Sequence, residues 1–217
     1  MKNKLSVAAF VLCLLGGAAH TANADGGTDD IYKIIQNEDI AAFSEMTAFG
    51  YDIDEQDMDG YTPLMTAAAL GKVKFVEYLI DNGANVNKRY YLGGTALHRA
   101  ALGGFNDIVT LLLDSGVQIN MPDLDGMTAL MTAVKAGKRF TVELLAKRGA
   151  NLNYRNAEGM TALDLANKYR HKEIAQFLIE SGGKTAPAPK PKAPEDEPTL
   201  EELLSEDDGL GWDTFYK

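Results

Sequence analysis

The stretch TPLMTAA, residues 62–68, decides the fold, because its pattern returns three times along the chain. The later copies are TALHRAA at 95–101, TALMTAV at 128–134 and TALDLAN at 161–167. Each leading threonine follows the previous one by 33 residues. A fixed period of roughly 20–50 residues is the sequence mark of a repeat architecture, in which each unit buries its apolar face against the next. The period therefore predicts a stack of similar units.

A second motif keeps the same register. GANVN at 83–87 recurs as GVQIN at 116–120 and GANLN at 149–153, with an earlier copy, GYDID, at 50–54. Apolar helical runs such as 75–80 and 108–113 lie between the two motifs. The leading threonines are suited to cap a helix start, and Pro63 occupies a first helical position, where its missing N–H costs nothing. Each unit is thus predicted to contain two helices followed by a glycine turn.

These two motifs resemble the ankyrin repeat, whose signature is T-P-L-H-x-A-A followed later by G-A-x-V-N. The resemblance runs from Asp29 to about Gly183. It implies an all-α solenoid of helix-turn-helix units joined by β-hairpin-like turns, with about five repeats including caps. The expected bounds are 29–56, 57–89, 90–122, 123–155 and 156–183. The first unit lacks the T-P-L-H start and the last has Asp164 at the histidine position, so we interpret both as caps.

The N-terminus has the pattern of an export signal. A basic start, residues 1–4, precedes an almost wholly apolar run at 5–19 and the small residues Ala22-Asn23-Ala24. This pattern predicts a signal peptide over 1–24, and the run is too short for a spanning helix, which needs about 20 residues. We expect a periplasmic protein, with secretion as the alternative. The sole cysteine, Cys13, lies in the signal, so we expect no disulfide and no thiolate ligand in the mature chain.

Residues 184–217 differ in composition from the repeats, which are expected to form a domain over 25–183. A proline-rich linker at 186–194 is followed by an acidic segment, which we expect to be disordered on its own. Two interpretations remain open for this segment. It is either a solubilising acidic tail or a docking peptide, whose contact residues would be Leu203, Leu204, Trp212, Phe215 and Tyr216.

Charge and chemical motifs argue against several functions. The formal net charge is −10, and residues 61–183 carry no basic stripe, so we expect no nucleic-acid partner. His98 and His171 lie two repeats apart, and no cysteine joins them, so we expect no metal site. His98 should instead bond within the repeat turn. No motif of a hydrolase, metalloprotease or phosphate loop is complete, and we therefore predict no catalytic activity and no cofactor.

The resemblance implies that a partner protein binds the concave face, which consists of the hairpin tips and the exposed side of the first helices. At the tips, the corresponding residues are Met58, Asp59, Tyr61, Tyr91, Leu92, Leu124, Asp125, Met127, Glu158 and Met160. On the first helices they are Ala69, Leu70, Leu102, Lys135, Lys168 and Tyr169. The set is unusually apolar for positions that should face water, and such a strip marks an interaction site. Packing between neighbouring turns is the alternative for each residue.

Three functions remain open at this point. The first is a monomeric, exported scaffold that binds a partner protein in the cell envelope. The second is a secreted effector or regulator that acts on a protein of another cell. In the third, the aromatic residues of the tail dock on the protein's own concave face. The length, composition and motifs do not identify the partner.

Overall fold

A computed structural model describes residues 28–186, with side chains from residue 31, and the expected signal peptide and tail lie outside these residues. The described chain forms five helix pairs and no strand, which confirms the predicted all-α repeat fold. The helices are α1 (Thr28–Gln36), α2 (Ile40–Ala48), α3 (Pro63–Leu70), α4 (Val73–Asp81), α5 (Ala96–Gly103), α6 (Asn106–Asp114), α7 (Ala129–Lys135), α8 (Arg139–Lys147), α9 (Ala162–Lys168) and α10 (Lys172–Glu180).

In each central repeat a threonine is the N-cap residue of the first helix. The Thr62 hydroxyl accepts the N–H of Met65 at 3.3 Å, and Thr128 accepts that of Met131 at 3.4 Å. These bonds satisfy donors that a helix start otherwise leaves unpaired. The alanines that follow, such as Ala67 and Ala100, are fully buried. A methyl group is the smallest side chain that keeps helix propensity high, so it lets neighbouring repeats approach closely.

The second helices share the bulky core with the first helices. Phe75, Val76 and Leu79 of α4 are fully buried, and Ile108, Val109 and Leu112 occupy the same places in α6. Burial of each such side chain contributes about 1.5–3 kcal/mol. The core therefore runs continuously along the stack, and each repeat contributes the same positions to it.

Two sets of inter-repeat hydrogen bonds hold the register of the stack. The side chains of Asp54, Asn87, Asn120 and Asn153 each accept a backbone N–H of the next repeat, at 2.7–3.2 Å. On the other side, the tips are linked by backbone bonds from Tyr91 to Asp59, Leu124 to Leu92 and Ala157 to Asp125. The second to fifth repeats are thus joined to one another at the tips as well, whereas the first repeat is joined to the second through Asp54.

The C-terminal repeat is closed by the start of the following segment. The Thr161 hydroxyl donates to the carbonyl of Lys184 at 2.7 Å, and the N–H of Ala186 donates to Asp164 Oδ2 at 2.8 Å. Burial alone would raise the pKa of Asp164, but the hydrogen bonds from Thr161 and Ala186 outweigh it and lower the pKa. The packed chain thus extends three residues beyond the expected boundary at Gly183. Asp164 in the histidine position therefore caps the stack.

Among residues 28–186, no helix combines the length and the apolar character needed to cross a bilayer.

Candidate partner-binding face

The hairpin tips expose a row of large apolar side chains. Met58 is 86% exposed, and Tyr91, Leu92 and Leu124 are 66%, 64% and 68% exposed. These four residues belong to three successive tips, and backbone hydrogen bonds join the tips to one another. We call Met58, Tyr91, Leu92 and Leu124 the apolar strip. Its exposure agrees with the sequence-based expectation.

Two of the three tips are held by their own side chains. Asp57 Oδ1 accepts the backbone N–H groups of Asp59 and Tyr61 at 3.0 and 2.8 Å. Asp123 Oδ1 does the same for Asp125 and Met127, at 3.0 and 2.8 Å. A carboxylate that accepts two backbone N–H groups fixes the turn. Met58 and Leu124 are therefore presented on a preorganised backbone, which lowers the entropy cost of binding.

Next to the tips, the first helices add both apolar and charged residues to the concave face. Leu102 and Tyr169 are exposed, Ala69 and Leu70 are half-buried, and Lys135 is exposed. Further along the stack, Lys168 Nζ pairs with Glu158 at 3.2 Å, and both side chains are largely accessible to water. The concave face thus combines the apolar strip with charged side chains, among them Lys135 of the fourth repeat and the Lys168–Glu158 pair of the fifth.

Three of the predicted tip residues are not freely exposed. The expectation that Met127 faces solvent is wrong: it is 8% exposed, and its sulfur lies 3.4 Å from Asn156 Nδ2. Tyr61 and Met160 are half-buried. All three occupy the last hairpin position, where the chain turns into the first helix. There Tyr61 contacts Tyr90 and Met127 contacts Asn156, each in the next repeat. The other predicted tip residues, Asp59, Asp125 and Glu158, are exposed.

The third repeat contains functional candidates that the sequence analysis did not single out. Tyr90 replaces the turn-forming Asp or Asn of the other repeats, and Gly94 replaces the bulky residue at the end of the hairpin. In α5, Arg99 stands where the other repeats have Thr66, Thr132 and Leu165. The signal was available in the aligned repeats, because all three substitutions fall within ten residues of one unit. Their meaning depends on contacts that only the structure shows.

His98 has the structural role that was expected for it. Its Nδ1 accepts the N–H of Thr95 at 3.1 Å, so Nε2 carries the proton and donates to the carbonyl of Met127 at 3.0 Å. Burial lowers the pKa of His98, which keeps the ring neutral. His171 lies against Gly137, two repeats away from His98 in the stack. Within residues 31–186, no three His, Cys, Asp or Glu side chains cluster as metal ligands would.

Comparison with known proteins identifies similar sequences. A family model described as ankyrin repeats (3 copies) matches residues 31–123 and 104–187. An ankyrin repeat protein of monkeypox virus is 39% identical over 70 residues, which are 32% of this chain and 12% of the relative. The ankyrin repeat, SAM and basic leucine zipper domain-containing protein 1 of Carollia perspicillata is 38% identical over 55 residues, 25% of this chain and 12% of the relative. The matched segments thus span a small part of both relatives.

Proposed function

The chain belongs to the ankyrin-repeat family, and on that premise we propose that it is a non-catalytic scaffold of the cell envelope that binds a partner protein on its concave face. Ankyrin repeats generally mediate protein–protein interaction. The observation that carries the proposal is the apolar strip, whose four large side chains are exposed on successive tips. Such a contiguous strip on a water-exposed surface marks an interaction site.

The energetics support binding through the strip. Full burial of one large apolar side chain contributes about 1.5–3 kcal/mol, and tyrosine is enriched among binding hot spots. Met58 and Leu124 are also carried by turns that side-chain hydrogen bonds already hold in place, so little loop entropy is lost there when a partner binds. Burial of the four strip residues would thus contribute part of the binding free energy.

The location in the envelope rests on residues 1–24, which have the pattern of a signal peptide. A secreted effector or regulator uses the same export route, and it differs in where the protein is recovered. Cleavage after Ala24 is the expected result of N-terminal sequencing of protein isolated from its producing cells. An intact N-terminus, with the protein recovered from the cytoplasm, would contradict an envelope role.

Absence of catalysis is part of the proposal. The histidine ring best placed for chemistry, that of His98, has both nitrogens engaged in hydrogen bonds of the repeat turn. Among residues 31–186, no group of three His, Cys, Asp or Glu side chains clusters as metal ligands would. The proposed role is therefore recognition of a partner protein.

The test is affinity capture with variants that separate the concave face from other surfaces. The chain is used as bait for the proteins of the envelope fraction, and bound proteins are identified by mass spectrometry. The variant Tyr91→Ala/Leu92→Ala/Leu124→Ala shortens the strip. Its matched control, Phe140→Ala/Ile179→Ala, removes apolar side chains that are equally exposed on second helices. A third bait ends at Ala186 and lacks the tail.

The expected result is one partner that the wild type and the control capture and the strip variant loses. If the strip variant keeps the partner and the bait ending at Ala186 loses it, the tail residues around Trp212 form the contact, and the concave-face proposal is wrong. Retention by all three baits would place the contact on neither surface.

A further inference from the structure

The third repeat differs from its neighbours at three positions that lie together on the concave face. At the first hairpin position, Asp57, Asp123 and Asn156 stand in the other repeats and Tyr90 in the third. At the last hairpin position, Tyr61, Met127 and Met160 are replaced by Gly94. On the first helix, Thr66, Thr132 and Leu165 are replaced by Arg99. The scaffold folds with the ordinary residues in three other repeats, so it does not require the exceptional ones.

The exceptional residues form one group with Tyr61 of the preceding hairpin. The ring of Tyr90 lies 4.7 Å from that of Tyr61, tilted by 34°. Gly94 makes room for this ring, since a Cβ there would lie 2.4 Å from Tyr90 Cε1. The guanidinium carbon of Arg99 lies 4.8 Å from the centre of the Tyr61 ring. Two tyrosine rings and one cation therefore meet between the tips and the first helices.

The guanidinium of Arg99 lacks the partners that a half-buried arginine normally has. Its Nε is buried without a hydrogen-bond acceptor in the described part of the chain, and Arg99 forms no ion pair there. Native structures leave few buried donors unpaired, and each of them calls for an explanation. Contact with the Tyr61 ring holds the cation without satisfying its N–H groups. Arg99 as a whole is half-buried, so its side chain is partly accessible to solvent, and its charge has no carboxylate partner among the described residues.

We propose that Arg99, Tyr61 and Tyr90 form a carboxylate-binding site, into which the partner inserts an acidic side chain or a C-terminal carboxylate. This inference rests on the proposed function and specifies the chemistry of its partner. The planar guanidinium matches the two oxygens of a carboxylate, and the tyrosine rings keep water away from one side of the pair. Tyr91 and Leu92 on the adjacent tip receive the apolar residues beside the carboxylate.

The rim of the site restricts the ligand further. Asp59 and Asp125 are exposed on the tips at either side of Tyr91 and Leu92. Their negative charges disfavour any further acidic residue in the ligand, so the one carboxylate that Arg99 binds should be flanked by apolar, neutral or basic residues. The ligand class is therefore a mainly apolar peptide segment with one carboxylate.

The experiment is selection from two random-peptide display libraries on the immobilised full chain. One library ends in a free C-terminal carboxylate, and the other presents the same random positions internally, so that the two sources of a carboxylate are separated. Selected peptides are then measured against four variants. Arg99→Leu removes the cation and introduces the residue that the fifth repeat has naturally, and Arg99→Lys keeps the charge. Lys74→Gln removes an exposed cation of a second helix, away from the concave face, and Tyr91→Ala/Leu124→Ala shortens the strip.

We expect peptides with one dominant Asp or Glu, or a requirement for the free C-terminus. Their affinity should fall about ten-fold or more in Arg99→Leu, because hydrogen bonds to charged groups are lost. It should fall less in Arg99→Lys, which keeps the charge but not the planar pair of donors. Lys74→Gln should change it by less than about two-fold, as expected of an exposed charge outside the site.

Failure of this inference can be distinguished from failure of the proposed function. Peptides that need the apolar strip but enrich no carboxylate, or bind Arg99→Leu as tightly as the wild type, would overturn this inference and leave the proposed function standing. If neither library yields a peptide whose affinity falls in Tyr91→Ala/Leu124→Ala, the proposed function fails together with the inference. If Arg99→Leu unfolds at the same temperature as the wild type in thermal denaturation, its lost affinity reflects the site and not a loss of folding.

Discussion

The third and fourth repeats have nearly the same backbone but different side chains at their hairpins. In the fourth repeat, Asp123 Oδ1 accepts two N–H groups of its own turn. In the third, Tyr90 makes no such bonds, yet its N–H still donates to the carbonyl of Gly94 at 3.0 Å, as that of Asp123 does to Met127 at 2.9 Å. The turn thus survives the loss of its usual side-chain bonds.

Contacts of the residue before the hairpin hold the third hairpin without these bonds. Arg89 Nε donates to the carbonyl of Gly93, and its Nη2 donates to the carbonyl of Pro122 in the next repeat, both at 2.7 Å. Gln56 stands one period earlier and makes the equivalent two contacts, to Gly60 and Arg89. The residue before the hairpin thus ties it to the next repeat, which frees the first hairpin position for a tyrosine. A repeat can therefore give up one stabilising residue for recognition when its neighbours hold the turn.

If the difference is confined to the surface, the cores of the two repeats should respond alike. Leu97→Ala and Leu130→Ala remove side chains that are almost fully buried at equivalent positions. Each substitution is expected to lower the free energy of unfolding by about 2–5 kcal/mol, measured by urea denaturation. Leu92→Ala, on an exposed tip, serves as the control and should change it by less than about 0.5 kcal/mol. Losses of unfolding free energy that differ widely between Leu97→Ala and Leu130→Ala would show that the unusual hairpin of the third repeat also affects its core.

The role of Asp123 can be isolated from that of the hairpin itself. Asp123→Ala leaves two backbone N–H groups without their acceptor and should lower the free energy of unfolding by about 1–3 kcal/mol. Asp125→Ala, which changes an exposed carboxylate two residues further on, is the matched control. Chemical denaturation of both variants measures the difference. Equal, small effects would mean that the inter-repeat bonds alone hold the fourth hairpin.

Coupling between Tyr90 and Gly94 tests the replacement in the third repeat. Gly94→Ala should destabilise the protein, since its Cβ would fall 2.4 Å from Tyr90 Cε1. The loss should largely vanish in a Tyr90→Ala background, where the ring is absent. A double-mutant cycle of unfolding free energies is expected to give a coupling of about 1 kcal/mol or more. Additive effects would show that the Tyr90 ring does not need the glycine.

His98 gives the smallest expected difference, and it depends on pH. Burial depresses the pKa of His98 in the folded protein, so the unfolded chain binds the proton more tightly. The contribution of the neutral His98 ring to the free energy of unfolding is fully present above the unfolded pKa of about 6.5. It is lost as the pH falls toward the folded pKa, by at most about 1.4 kcal/mol per pH unit. Unfolding measured between pH 7.5 and 5.5 should show the loss in the wild type. His98→Met, which has the residue of the second and fourth repeats, should reduce this slope, and an unchanged slope would assign the effect to other groups.

The repeats illustrate why the fold was readable from the sequence and the site was not. Thr62, Thr95 and Thr128 recur every 33 residues because each unit needs a cap at the start of its first helix. Such a local requirement can be predicted from the sequence pattern alone. Exposure of Met58 and Leu124 also followed from position in the hairpin. Met127 was misplaced because its burial depends on the adjacent repeat, where Asn156 lies against it. A position in one repeat does not reveal what the next repeat places beside it.

Sequence by itself determined the repeat period, the helix starts and the apolar strip, because each arises from short-range rules of capping, helical periodicity and turn formation. Tertiary structure decided which of these residues act together. Arg99 is one letter of TALHRAA in the sequence, and only the packing of two repeats brings it over Tyr61 and beside Tyr90. The physical reason is that an unpaired buried donor is a property of its surroundings, and in this stack those surroundings come from residues about one period away.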